Sequence, residues 1–556
     1  MTGATRGESG SAGESRARGA SPWLWLGPPL LFGALLRLWG IQRQVLGGDE
    51  FHALQRAASY PLASILTHYD PQVDHSVPLT AWVRLALVGG LEPSELVLRI
   101  PVLLSGVALA PALALAVWRL LGTRVACVFA WLLAISPLLV LYGRILRSYG
   151  PILVLAPLAV LAFHRWLEHG RRRDALIYAL AAPLAAYFHL LAAIFVTAPL
   201  AWGVLSRPWR RGGPRPRALL GLAAGTGLVA AVCFAPVVAS LLSFATKKSG
   251  RGVWQWSAAK DTAQLFAGVY SQSIAVLFLS VCALGALRLA RSRPRLFSYL
   301  LFLCCVHVAA LLVSRPAHYS EPLVFDRYML VLLPIVLLLA ACAFGIEPSG
   351  RSAGSATVAN LLPVPFVALL FFGGPLTSAE FLHGSFTHHR NFLVFIDPRL
   401  ASPPAGYAGS AFWSKLARED GARAIVEYPV DHRWNRTSGF YFHQLVHGKE
   451  VLVSSDQALY CDRRLRWRNA VACEPAAYLE SRADYLVVHV NPGIEEGHFS
   501  GNVFLQDPSW TSFTTRAQAL QGTLRERWGA PAFEDAELAV WDLRQVRASA
   551  APRGSR

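Results

Sequence analysis

Apolar runs of roughly 17 to 25 residues recur over the first two thirds of the chain, and short polar, arginine-rich connections separate them. Runs of that length cross a hydrocarbon core as helices, because a helix satisfies its own backbone hydrogen bonds where no water can. The pattern predicts spans over 23–41, 97–118, 125–141, 150–166, 175–188, 190–206, 218–245, 272–289, 296–313, 328–345 and 356–373. The stretch 77–91 is also apolar but shorter, and Arg84 and a Gly-Gly pair interrupt it. It reads as a helix lying at the membrane surface.

That reading of 77–91 sets the orientation of everything after it. If 77–91 does not cross, the clusters Arg119/Arg124, Arg165/Arg171–Arg173, Arg207–Arg217 and Arg288–Arg295 all share the side of the N-terminus. Positive charge marks the cytosolic side. If 77–91 crossed, every cluster would be translocated. The expectation is therefore about eleven spans, a cytosolic N-terminus and an extracytoplasmic C-terminus. The outer face then holds 42–96, 142–149, the surroundings of His189, 246–271 and 314–327.

Past 374 the pattern changes. Short apolar runs at 424–428, 485–489 and 538–541 alternate with helical stretches such as 408–420. They predict a small extracytoplasmic α/β domain over 374–556. Residues 1–21 are rich in Gly, Ser, Ala, Arg and Glu and read as a disordered cytosolic tail. The fold class expected is an all-α polytopic membrane domain, 22–373, followed by that small domain.

Composition sharpens this picture. The chain of 556 residues is 54% apolar and only 15% charged, against about a quarter for a soluble protein. Its net charge of +18 is mostly arginine in short connections, so it speaks for membrane orientation rather than nucleic-acid binding. Six of the eight cysteines lie in apolar spans and read as packing residues. Cys461 and Cys473 lie in the extracytoplasmic part, where a disulfide can form. No cysteine spacing points to a metal.

The candidate chemistry clusters on one face. Gly47–Phe51 spells the signature of diguanylate cyclases, but that motif belongs to a soluble domain and here sits between membrane segments. Asp49 and Glu50 instead read as a general base and its partner, since a carboxylate near lipid gains basicity. The alternative is that Asp49 caps a following helix. Asp74 and His75 form a second polar knot, suited to a substrate hydroxyl or to a plain turn. Arg144 and Arg147, three apart and followed by Tyr149, can present two guanidinium groups to a phosphate, or can snorkel. Lys247, with Lys248 and Arg251, stands on the outer face against the charge rule and suits an anionic lipid head. Asp326 and Arg327 open the tenth span, as a phosphate contact or as an ion pair. His189 reads as a polar helix end. His388-His389 and the sequon at Asn435 have no supporting context.

The acidic pair after the first span, Val77-Pro78-Leu79, Leu98-Arg99-Ile100-Pro101, the stretch Ser136–Tyr149 and Phe325-Asp326-Arg327-Tyr328 follow one another in an order seen elsewhere. The chain resembles bacterial GT-C fold glycosyltransferases of the protein O-mannosyltransferase and lipid A aminoarabinose transferase group over about 22–345. It departs from them at His75-Ser76-Val77-Pro78-Leu79, where His-Pro-Pro-Leu is common, and at Gly143–Arg147, which lacks an acid. The resemblance implies a polyprenyl-phosphate sugar donor, an acceptor hydroxyl on an envelope glycan, lipid or protein, and inversion at the anomeric carbon. It places Asp49 at the base position and Arg99, Arg144, Arg147 and Arg327 near the donor phosphate. No cofactor is required, because the donor is already activated; a divalent ion at the acids is compatible with it. A transporter or flippase of lipid-linked precursors is the alternative class, and a non-catalytic scaffold a third. A transporter should carry polar groups at mid-membrane, and these spans carry few.

Overall fold

The computed structural model describes residues 22–39, 41, 50, 53, 54, 56, 57, 60–69, 76–89, 95–207, 213–248, 256–316, 322–345, 362–377, 410–428, 447–452, 475–490 and 510–550. Its helices begin with α1 (Pro22–Leu38), α2 (Leu62–Thr67), α3 (Val77–Val88), α4 (Glu95–Leu121), α5 (Thr123–Ile135) and α6 (Pro137–Tyr142). They continue with α7 (Tyr149–His169), α8 (Arg172–Phe188), α9 (Leu191–Leu205), α10 (Pro216–Phe234), α11 (Val238–Lys248) and α12 (Trp256–Ala267). The membrane part closes with α13 (Gln272–Ser292), α14 (Pro294–Ser314), α15 (Pro322–Met329), α16 (Leu333–Gly345) and α17 (Pro363–Phe372).

Each apolar segment read above as a span carries helix. Among the described residues six stretches are long and apolar enough to cross a membrane: Leu96–Leu121, Tyr149–His169, Pro216–Ser243, Gln272–Ser292, Pro294–Ser314 and Phe325–Gly345. The chain is a multi-pass membrane protein. Its outward leucines and valines, among them Leu104, Leu220, Leu228, Val232 and Val313, are well exposed, as lipid-facing side chains must be. The stretch 77–91 carries α3 (Val77–Val88), whose 12 residues reach only about 18 Å along its axis, short of the ~30 Å core. It packs on α2, α4 and α8 through Leu79, Val83 and Ala86.

Prolines redraw two segments, and a 3₁₀ turn redraws a third. The run 125–141 is two helices, because Pro137 lacks an N–H and turns Ser136 extended at ψ 117°. Pro236 inserts a 3₁₀ turn, Ala235–Val237, into 218–245. A second 3₁₀ turn, Leu330–Leu332, joins α15 to α16, so the last long span starts earlier than its apolar run.

Helix α7 is the hub. Over its most apolar stretch 89% is buried, against 17% for Pro216–Ser243, so the first is core and the second faces lipid. It packs on α4, α8, α9 and α16. At its far end Gly170, at φ 62°, turns the chain into α8, and Arg165 meets the buried Asp174 at 3.2 Å. Arg119, Arg171 and Arg173 gather around Arg165. This arginine-rich end lies one α7 length, about 31 Å, from Tyr149 at the other end.

The C-terminal part holds a five-stranded sheet in the order β2-β1-β3-β5-β4: β1 (Ala424–Tyr428), β2 (Glu450–Val451), β3 (Tyr485–His489), β4 (Phe533–Glu534) and β5 (Leu538–Asp542). The first three are parallel and β5 runs antiparallel to β3. All three of its five-residue strands are buried throughout, which is why they read as unbroken apolar runs. Helix α18 (Ala411–Ala417) covers one face with Phe412, Trp413 and Leu416. Helices α19 (Pro475–Glu480) and α20 (Trp510–Trp528) cover the other with Tyr478, Ala517, Leu520 and Leu524. The two-residue strands β2 and β4 and helix α20 had no clear periodicity in the sequence.

Candidate active site

Glu50 is fully buried and accepts two hydrogen bonds from Arg99 on α4, Nε–Oε1 at 2.9 Å and Nη2–Oε2 at 2.7 Å. Its Oε1 also accepts from the backbone N–H of Leu146 at 2.6 Å. A fork of this kind fixes both planes and is the strongest ordinary ion-pair geometry. One carboxylate thus joins the acidic loop, helix α4 and the 143–148 turn. Asp49 itself lies outside the described residues, as do Asp74, His75, Arg251, His388, His389, Asn435, Cys461 and Cys473. So does the Lys247 side chain, at the end of α11.

The turn sits where glycines let it approach α4. A Cβ on Gly106 would stand 2.8 Å from the Gly143 backbone, and one on Gly150 would meet Tyr142 O at 2.9 Å and Val102 at 3.1 Å. Arg144 points back to α1: its Nη1 donates to Leu36 O and Trp39 O, each at 2.8 Å, and to Arg37 O at 3.3 Å. Those carbonyls end a helix and have no intrahelical partner, so a cation satisfies both hydrogen-bonding need and dipole. Burial, then the Arg99 and Arg37 charges, pull the Arg144 pKa down to about 9, which leaves it charged at neutral pH. Arg37, buried and not singled out in the sequence, donates to Gly33 O, Leu133 O and Ala134 O and ties α1 to α5. The signal for it was available: an arginine inside an apolar span must find carbonyls or another partner.

The other members of the set gather around Tyr149 and His189. Arg147 is 8% exposed, and its Cζ lies 5.8 Å from the ring of Tyr149. The Tyr149 ring is 4.7 Å from that of Tyr142 and 5.2 Å from that of His189. His189 ends α8, and its Nδ1 accepts from Leu191 N at 3.2 Å, so it is a helix end that also joins this cluster. Burial, then the charges of Arg147 and Arg327, push its pKa down to about 3, so it is neutral at physiological pH. Arg327 and Asp326, from α15, bear on the Tyr142 hydroxyl. Asp326 is fully buried.

Two groups of side chains therefore adjoin across the turn 143–148. One is Glu50, Arg99, Arg144 and Arg37, largely bonded to one another and to backbone. The other is Arg147, Tyr149, Tyr142, His189, Asp326 and Arg327, rich in cations and aromatic rings. Among the described residues no three His, Cys, Asp or Glu side chains are placed to hold a metal ion.

Residues 74–240 match the family model described as dolichyl-phosphate-mannose-protein mannosyltransferase. Among solved structures the chain is similar to ArnT from Cupriavidus metallidurans in the apo state, at 12% identity and a TM-score of 0.46 over 93% of this chain and 96% of that one. The same transferase bound to undecaprenyl phosphate aligns at 13% identity and a TM-score of 0.46, over 85% and 94%. The Archaeoglobus fulgidus oligosaccharyltransferase in its apo form aligns at 12% and 0.41, over 86% and 71%. No curated protein sequence matches the chain. The matched stretch 74–240 contains Arg99, the 143–148 turn, Tyr149 and His189, and through it the chain resembles the GT-C membrane glycosyltransferases of the protein mannosyltransferase type.

Proposed function

We propose that this protein is a membrane glycosyltransferase that moves a sugar from a polyprenyl-phosphate donor to an acceptor hydroxyl on the outer face of the cytoplasmic membrane. One observation carries the reading. The Glu50 carboxylate is bonded at once to Arg99 and to Leu146 N, so the acidic loop meets the arginine turn at a single point. The family description, which names a lipid-phosphate sugar as donor, supports the same chemistry.

In this reading Asp49, next to the immobilised Glu50, takes the proton of the acceptor hydroxyl. The freed oxygen bonds to the anomeric carbon, and the bond from that carbon to the phosphate oxygen breaks. Polyprenyl phosphate leaves with the electron pair. Arg147 and Arg327 stabilise the charge that grows on it, the kind of fixed electrostatic help that is often the largest catalytic contribution. Glu50 and Arg99 position the loop, and Arg144 holds the turn on α1. Tyr149 packs beneath Arg147 and orients it. Asp74, His75 and Lys247 remain proposed contacts to acceptor or lipid head. Positive charge favours the cytosolic side, so the arginine-rich end of α7 supports a site on the outer face.

The test is Asp49→Asn expressed in cells lacking the native gene, with envelope glycans profiled. The expected result is loss of one glycan modification at unchanged protein level. Unchanged glycans at normal protein level would overturn the reading and leave a transporter or scaffold.

A further inference from the structure

Five of the six buried acids among the described residues are engaged. Glu50 holds Arg99, Asp174 faces Arg165, Glu427 accepts from His489 at 2.9 Å and Asp542 holds Arg544. Glu537 likewise has a partner. Asp326 differs: it is fully buried, and among the described residues neither carboxylate oxygen has a hydrogen bond. A buried carboxylate left in that state costs several kcal/mol in general, and folded chains keep such a group where a ligand completes it.

The neighbours say what kind of ligand. Arg327 follows Asp326 on the same helix, and consecutive helical positions point about 100° apart. The cation and the acid therefore would serve different parts of a ligand bound beside Tyr142. Arg147 and Arg327 both bear on His189, and Arg327 and Asp326 both bear on Tyr142, so these groups share one neighbourhood. A phosphate goes to the guanidinium side and is repelled by the carboxylate. What a carboxylate binds instead is a set of hydroxyl or ammonium donors, and a sugar one bond from that phosphate supplies them. Neutral His189, with the Tyr142 and Tyr149 rings, adds flat surface for a sugar face without adding charge.

We infer that Asp326 is the sugar-recognising residue of the lipid-linked donor, accepting hydrogen bonds from its hydroxyl or amino groups while Arg147 and Arg327 take the phosphate. The inference rests on the glycosyltransferase reading and adds the half of the donor to which this carboxylate is directed.

The test compares binding of undecaprenyl phosphate with binding of a panel of undecaprenyl-phosphate-linked hexoses and pentoses to the purified full chain, in detergent. Wild type is expected to prefer at least one sugar-linked lipid over the bare one. Asp326→Asn and Asp326→Ser are expected to keep affinity for undecaprenyl phosphate and to lose that preference by about tenfold or more, since unmade hydrogen bonds to a buried acceptor discriminate strongly. Both variants replace a buried carboxyl that makes no hydrogen bond with a polar group of similar or smaller size, so neither should melt far below wild type. Retained preference in both variants, or equal weakening toward both lipids, overturns the inference and leaves the function standing. Wild type that binds neither lipid overturns the function itself. A melting temperature that rises with sodium or magnesium alone in wild type, but not in Asp326→Asn, assigns the carboxylate to a cation and overturns the inference as well.

Discussion

Glu50 and Arg99 are each fully buried and form an ion pair, Nη2–Oε2 at 2.7 Å. Breaking such a pair from one side leaves an uncompensated ion, at a general cost of roughly 3–5 kcal/mol. Arg99→Met should therefore lower the melting temperature and the amount of folded protein sharply. Glu50→Gln should do less, because the amide oxygen can still accept from Leu146 N. The double variant should recover part of the loss. Thermal unfolding in detergent checks all three, and additive losses would mean that the pair does not act as a unit. His189 gives a pH prediction of definite sign. Its pKa lies near 3 in the fold and near 6.5 when unfolded, so the native state binds fewer protons between those values. The stability this contributes is complete above pH 6.5 and drains away as pH falls toward 3. His189→Gln should flatten that part of a stability–pH curve measured by thermal melts, and an unchanged curve would contradict the burial.

At the scale of elements, two glycines separate packing from function. Gly285 on α13 lies so close to α16 that a Cβ would overlap Leu339 O, at 1.7 Å. Gly285→Ala should force the two helices apart and lower the melting temperature by several degrees, overpacking costing about 1–3 kcal/mol or more. Gly106 instead touches the backbone of Gly143, at the head of the turn that carries Arg144 and Arg147. Gly106→Ala should cost transfer activity out of proportion to its effect on melting. Equal losses in both variants would mean that the turn has no special place. Much of this architecture was legible: the apolar runs located the long helices of the membrane part, though not the short α2 and α12 in the outer loops, and the three unbroken runs of the C-terminal part located β1, β3 and β5. Pro137 and Pro236 were visible too, but hydrophobicity alone does not show where a proline ends a helix rather than bends it. The pairing of Glu50 with Arg99 was not legible, because 49 residues separate partners that share no periodicity. Arg144 was read for a phosphate from its spacing with Arg147. Its bonds to the α1 carbonyls depend on a helix end arriving from a distant part of the chain.

Over the whole molecule, α7 sets the polarity. One end gathers Arg119, Arg165, Arg171 and Arg173, and the other presents Tyr149 to the turn, Arg147 and His189. Positive charge at the first end predicts that reporter fusions after residues 122, 170 and 212 report the cytosol, while fusions in 42–75 and after 377 report the outside. The opposite pattern would place the reacting groups where no lipid-linked donor of this kind is presented. The claim that everything else depends on is chemical, and one assay reaches it directly. Membranes containing the protein are given radiolabelled undecaprenyl-phosphate sugars together with envelope extract as acceptor, and release of undecaprenyl phosphate is followed for wild type and Asp49→Asn. The account predicts release by wild type with at least one sugar and a fall of about a hundredfold or more in the variant, the scale of a lost general base. Equal release by both, at equal protein level, would contradict it.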